Sequence, residues 1–108
     1  MKVFKQNKKL RKFISCQKKD LKIGLVATMG ALHDGHISLI KSSKKKCDIT
    51  ICSIFVNPTQ FNEKEDFINY PKNIEEDLKI LKKAKCDIVY NPNYNDIYLP
   101  KEKQKKFD

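Results

Sequence analysis

Ile23-Gly24-Leu25-Val26-Ala27-Thr28-Met29-Gly30-Ala31-Leu32-His33-Asp34-Gly35-His36-Ile37-Ser38-Leu39-Ile40 changes its period part-way along. Ile23 to Ala27 is a short continuous apolar run, the pattern of a strand buried on both faces. The run stops at Thr28-Met29-Gly30, where glycine permits backbone angles that other residues avoid. From about Gly35, the residues Ile37, Leu39 and Ile40 supply an apolar helical face, and the helix is predicted to end near Lys45. Asp34 is the expected N-cap. The stretch therefore reads as strand, glycine turn, helix.

The same order recurs on either side. Ile49 to Val56 is an uninterrupted, β-branched run, again a central strand, ended by Asn57-Pro58. Thr59 to Tyr70 is polar, with Phe61, Phe67 and Tyr70 as anchors. Pro71 suits the approach to a helix over Ile74 to Lys83, with Ile74, Leu78 and Leu81 along one side. Asp87 to Tyr90 is a third short strand. Upstream, Leu10, Phe13 and Ile14 fit a helix from about Asn7 to Lys18. Alternating helices and strands imply right-handed crossovers and a parallel sheet. The expected fold class is α/β: a Rossmann-like parallel sheet of about three strands with flanking helices. So narrow a sheet leaves an outer edge unpaired, so residues 1–108 are read as a partial domain, truncated on the C-terminal side.

Lys and Arg number 23 against 13 Asp and Glu, a formal net charge of +10. Arg11 is the only arginine, and the lysines are spread over several segments. A protein that reads phosphates or bases along a nucleic acid usually needs the bidentate arginine fork, so no specific nucleic-acid partner is expected. The four cysteines, Cys16, Cys47, Cys52 and Cys86, form no CxxC pair and match no zinc spacing. Cys52, inside an apolar run, reads as a buried thiol. Met1 to Arg11 has no apolar stretch after its charges, and no run approaches the length of a membrane span. A cytoplasmic protein with no membrane partner is the expectation.

Ligands of open parallel sheets bind beyond the carboxyl ends of the strands. Two polar clusters fall there: Thr28 to His36 after the first strand, and Asn57-Pro58-Thr59-Gln60-Phe61 after the second. His33 and His36 stand three apart across a helix start, with Gly35 between them. A helix N-terminus presents free N–H groups and the positive end of its dipole, which attract phosphate. Two imidazoles beside it can donate hydrogen bonds to charge developing on phosphorus. Taken alone, the two histidines fit surface or capping roles as well. Glu76 and Asp77 fit either a metal contact or simple complementation of the helix dipole.

The longer string TMGALHDGHISLI resembles the signature of the pantoate–β-alanine ligases, whose HxGH is shared with nucleotidylyltransferases and class I aminoacyl-tRNA synthetases. Ser53 to Phe61 resembles the family's SIFVNPxQF segment, and Asp66 through Tyr70-Pro71 its DxxxYP element. Glu76-Asp77-Leu78 with Leu81, and Asp96-Ile97-Tyr98 with Pro100, follow in the family's order. The resemblance implies an ATP-dependent ligase that condenses pantoate with β-alanine through a pantoyl-adenylate, releasing AMP and pyrophosphate, with Mg²⁺ accompanying the ATP. It implies ATP binding by Met29, Gly30, Ala31, Leu32, His33, Asp34, Gly35 and His36, with His36 and His33 as the catalytic pair. Gln60 matches the residue that holds pantoate near the β-alanine site, and Met29 would line the pantoate pocket. Asn57 either orients that ligand or caps the strand.

Ala27 stands where the family has proline, and Lys72 where arginine is common. The family's later lysine/glutamine segment, its Ser/Arg segment and its C-terminal lid have no counterpart here, so the chain by itself is expected not to turn over. A homodimer and a separately encoded C-terminal half are the possible protein partners. The rival readings are another HxGH nucleotidylyltransferase, and a non-catalytic remnant or basic binding module.

Overall fold

The apolar runs at the heart of the sequence become parallel strands. The computed structural model describes residues 1–17, 19–56, 63, 65 and 73–92. Along the described chain the order is β1 (Lys2–Phe4), α1 (Asn7–Ser15), β2 (Ile23–Thr28), α2 (Asp34–Lys46), β3 (Ile49–Ile54), α3 (Ile74–Lys83) and β4 (Ile88–Tyr90). The strands form one parallel sheet in the order β1-β4-β3-β2.

The sheet has four strands rather than three. Lys2–Phe4 adds itself beside β4, with Val3 opposite Val89. Three residues, the first two exposed, carry neither an apolar run nor an alternation that the sequence could betray. The first helix stops at Ser15, short of Lys18. The amides of Cys16 and Gln17 both reach three residues back, to Phe13 and Ile14, which tightens the last turn and closes the helix. The second helix begins one residue early, at Asp34, and its N-cap is His33 rather than Asp34.

β1 and β2 lie on opposite edges, so the β1-α1-β2 crossover runs one way across the sheet and β2-α2-β3-α3-β4 runs the other. Right-handed crossovers then put α1 on one face and α2 with α3 on the other. Packing follows that division. Val26, Cys52, Ile54 and Val89 meet Ile40 of α2 and Leu81 of α3, whereas Ile51 and Ile88 meet Leu10 of α1. Ile40, Leu81 and Val89 are fully buried, each contributing about 1.5–3 kcal/mol of burial free energy.

Short side chains bring α2 close to β2. Gly24 has no Cβ because Ser43 and Cys47 occupy the space it would need. The Ser43 hydroxyl bonds that of Thr50, which is wholly buried, at 2.8 Å. Cys52 is buried as the sequence suggests, and loss of solvation pushes its thiol up to about 12. Among the described residues, no helix is long and apolar enough to cross a membrane.

Candidate functional site

The site is built where β2 gives way to α2. Thr28 ends the strand with a hydroxyl that does two jobs: it donates to the Ser53 carbonyl of β3 at 2.9 Å and accepts from the Gly30 amide at 3.2 Å. The chain then turns through two left-handed residues, Gly30 at φ 83° and Ala31 at φ 51°. Gly30 has no alternative, since a Cβ there would also stand 3.0 Å from an Asp77 oxygen. Ala31 holds a conformation that costs an L-residue about 1–2 kcal/mol, so something else must hold the turn.

That something is Asp77. It projects from the first turns of α3 and is 4% exposed. One carboxylate oxygen accepts from the Ala31 amide at 3.1 Å and the other from Leu32 at 3.0 Å. Leu32 then buries its side chain in the core between the sheet and α2 and α3. The next residue, extended His33, caps α2.

The two histidines cap each other's backbone. His33 Nδ1 accepts from the Gly35 amide at 3.1 Å, and His36 Nδ1 accepts from the His33 amide at 3.1 Å. The rings stand 4.2 Å apart between centroids, tilted by 46°. A ring nitrogen that accepts from an amide carries no proton, so each neutral imidazole keeps its hydrogen on Nε2 and presents it as a donor. Burial, and then the neighbouring His33, hold His36 below the usual histidine range, while Asp77 pulls weakly the other way. His36 is therefore neutral at physiological pH.

A cavity of about 950 Å³ opens over this turn. Its floor is Leu25 and Ala27 of β2, with Ile51 and Ser53 of β3. Leu10, Arg11 and Ile14 of α1 form one wall. Met29, Gly30, Ala31, His33 and His36 form the rim at the strand ends. The structure thus brings five of the sequence-assigned residues to one cavity. Leu32, Asp34 and Gly35 are not among its walls: Leu32 faces the core, and Gly35 lies beneath the His33 ring. Gln60 and Asn57 lie outside the described residues, as do Asp66, Tyr70-Pro71, Lys72 and the stretch around Asp96. Among the described residues, no group of three or more His, Cys, Asp or Glu is placed to hold a metal ion.

Sequence reasoning left Asp77 between metal contact and dipole complement; it stands in the acidic first turn of α3, and its two oxygens also accept from amides of the turn after β2. Its place on the buried side of α3 was legible, three residues after Ile74 and four before Leu81. Its partners were not, being 45 and 46 residues away. Arg11, the lone arginine, also faces the cavity, and nothing in its local sequence announces that.

A sequence model of the family described as pantoate-beta-alanine ligase matches residues 2–107. The chain belongs to the pantoate–β-alanine ligase family. Pantothenate synthetase of Francisella philomiragia is 56% identical over 80 residues, which cover 74% of this chain and 31% of that protein. The enzyme of Francisella tularensis subsp. novicida is 54% identical over the same extent. The chain therefore spans 31% of the length of the curated ligases it matches. A crystal structure of the Francisella tularensis pantoate-beta-alanine ligase, complexed with beta-gamma ATP and beta-alanine, superposes with a TM-score of 0.89 at 45% identity, covering 93% of this chain and 38% of that one. Pantothenate synthetase of Thermus thermophilus superposes with a TM-score of 0.83 at 31% identity, covering 94% of this chain and 35% of that one. The parallel sheet and its flanking helices are thus the ligase family's N-terminal, Rossmann-like fold.

Proposed function

We propose that this chain forms the ATP-binding part of a ligase that joins pantoate to β-alanine, giving pantothenate, AMP and pyrophosphate. The observation that carries the reading is the pair of imidazoles, each bonded through Nδ1 to a backbone amide, on the rim of a cavity at the C-terminal ends of β2 and β3. Both Nε2–H groups and the N-terminal end of α2 suit an ATP triphosphate.

In the first step the pantoate carboxylate attacks the α-phosphate and pyrophosphate leaves. In the second the β-alanine amine attacks the acyl carbon of the adenylate and AMP leaves. His33 and His36 stabilise the charge that accumulates on the phosphate oxygens, a role that neutral donors fill without any proton transfer. Met29, on the rim, lines the pantoate side, with Gln60 and Asn57 assigned there by family likeness alone.

Mg²⁺ supplies charge neutralisation on the triphosphate when bound. The residues described offer it no carboxylate cage, because Asp77 has both oxygens on amides. The ion fits this chain as one carried in by the phosphates and their waters. The reading places the protein in the cytoplasm, with a homodimer and a separate C-terminal half as its candidate protein partners.

Grafting residues 1–100 into the Francisella tularensis ligase in place of the matching stretch tests the proposal. The chimera should make pantothenate from pantoate, β-alanine and ATP, and His36→Ala should remove pantoate-dependent pyrophosphate release. A chimera that folds and binds ATP yet forms no pantoyl-adenylate rejects the ligase reading in favour of another HxGH transferase.

A further inference from the structure

The turn after β2 points the successive amides of Ala31 and Leu32 into one concavity, and such a nest of amides draws an anion. In a phosphate-binding loop the anion is the ligand. Here the nest between β2 and α2 already holds a carboxylate from another element of the fold, sealed from solvent and bonded to both amides.

We propose that Asp77 is the positioning residue of the nucleotide site: an internal anion, delivered by α3, that occupies the nest and sets where both imidazoles stand. The proposal rests on the nucleotide reading of the cavity. Its consequence is spatial. With the Ala31 and Leu32 amides taken, the triphosphate is met one turn later, by the opening of α2 and the two Nε2–H groups.

The connection is short and continuous. Asp77 fixes the peptide planes on either side of Ala31, Leu32 is anchored in the core, and the next amide, that of His33, bonds the His36 ring. The His33 ring in turn bonds the Gly35 amide. Moving the turn therefore moves both rings, although Asp77 contacts neither through a hydrogen bond.

Asp77→Asn is the test, because it keeps the shape and replaces one acceptor with an N–H₂ that faces a backbone N–H. In the 108-residue chain it should lower ATP affinity at least about tenfold, the scale of a lost charge-assisted bond. Nitrogen-15 spectra of the imidazoles should show Nε2–H alone for both histidines in the parent, and a mixture of tautomers in the variant. Glu75→Gln, the same charge change on an exposed residue of the same turn, should alter neither reading. A folded Asp77→Asn protein with parental ATP affinity and parental tautomers, whatever its melting temperature, overturns the proposal.

Should Asp77→Asn fail to fold, hydrogen exchange on the parent decides. The Ala31 and Leu32 amides should be protected without ATP and gain nothing from it; protection that appears there only with ATP would mean that phosphate fills the nest, and overturns the proposal. A parent that binds no ATP refutes the nucleotide reading separately, since tautomer and exchange still report on the turn.

Discussion

Gly35→Ala should separate the stability of this fold from its function. Gly35 lies within α2 and needs no unusual backbone angle, so a methyl group there is acceptable to the helix itself. The obstacle is the His33 ring. A Cβ on Gly35 would stand 2.9 Å from His33 Cε1 and 3.2 Å from Nδ1, well inside ordinary van der Waals separation. The ring is the movable partner, so it swings away and gives up its bond to the Gly35 amide.

Two terms of opposite sign result. Replacing glycine by alanine inside a helix gains about 0.8–1 kcal/mol, and losing the cap costs about 0.5–2 kcal/mol. Net stability should change by no more than about 1 kcal/mol, or roughly 4–8 °C in melting temperature for a chain of this size. Binding has no such compensation. A displaced His33 withdraws one neutral donor from a charged phosphate, worth about 1.5–3 kcal/mol, so ATP affinity should fall roughly 10- to 150-fold. Calorimetric titration with ATP beside a thermal melt measures both. Full ATP affinity in a folded Gly35→Ala protein would show that the His33 ring is not a ligand contact. A stability loss of several kcal/mol would show that the clash is borne by the backbone instead.

Two further outcomes follow from the same geometry. His36 is held below its usual range in the folded protein, so the unfolded chain binds the extra proton first as pH falls; stability should be flat above about 6.5 and decline below it, and denaturant melts from about pH 8 to 5 should lose much of that slope in His36→Asn. Gly24→Ala should cost about 1–3 kcal/mol by overlapping Ser43 and approaching Cys47 Sγ to 3.0 Å, and chemical melts should show a smaller penalty in a Ser43→Ala background, where the overlapping hydroxyl is already gone.

What the sequence disclosed about this fold was what period and composition encode. The continuous runs at β2 and β3 and the apolar stripe of α3 are each long enough to carry a period, and they were placed within about two residues. β1 was lost because three residues carry no period, and its existence depends on pairing with β4, 86 residues away. The His33–His36 pair was legible as a helix mouth, but its cap was assigned to Asp34 on residue preference. An imidazole nitrogen can accept an amide as a carboxylate does, and here the extended backbone of His33 puts Nδ1 within reach. The lack of a side chain at Gly35 leaves room that the structure gives to the His33 ring, a neighbour that spacing alone does not reveal. Asp77 escaped because its role is defined by amides distant in sequence and adjacent only after α3 packs.

The location of the cavity follows from the direction of winding. β2 is the strand at which the chain reverses its progress across the sheet, so the helix before it and the helix after it leave on opposite faces. α2 leaves the tip of β2 for the face opposite α1, and the cavity lies on the α1 side, over β2 and β3. The floor stays apolar because β2 carries the residues of a doubly covered strand, yet α1 reaches only as far as Ile51 and Ile88 in the opposite core and leaves Leu25 65% exposed. A largely apolar floor with imidazole donors on the rim and Arg11 in the wall is suited to a ligand with a flat, weakly polar body and one anionic end. The donors gather at that rim because the turn after β2 must satisfy its own amides, and it does so with imidazoles and a buried carboxylate in place of water. The bonds that let the chain make this turn are therefore the same bonds that aim its chemistry.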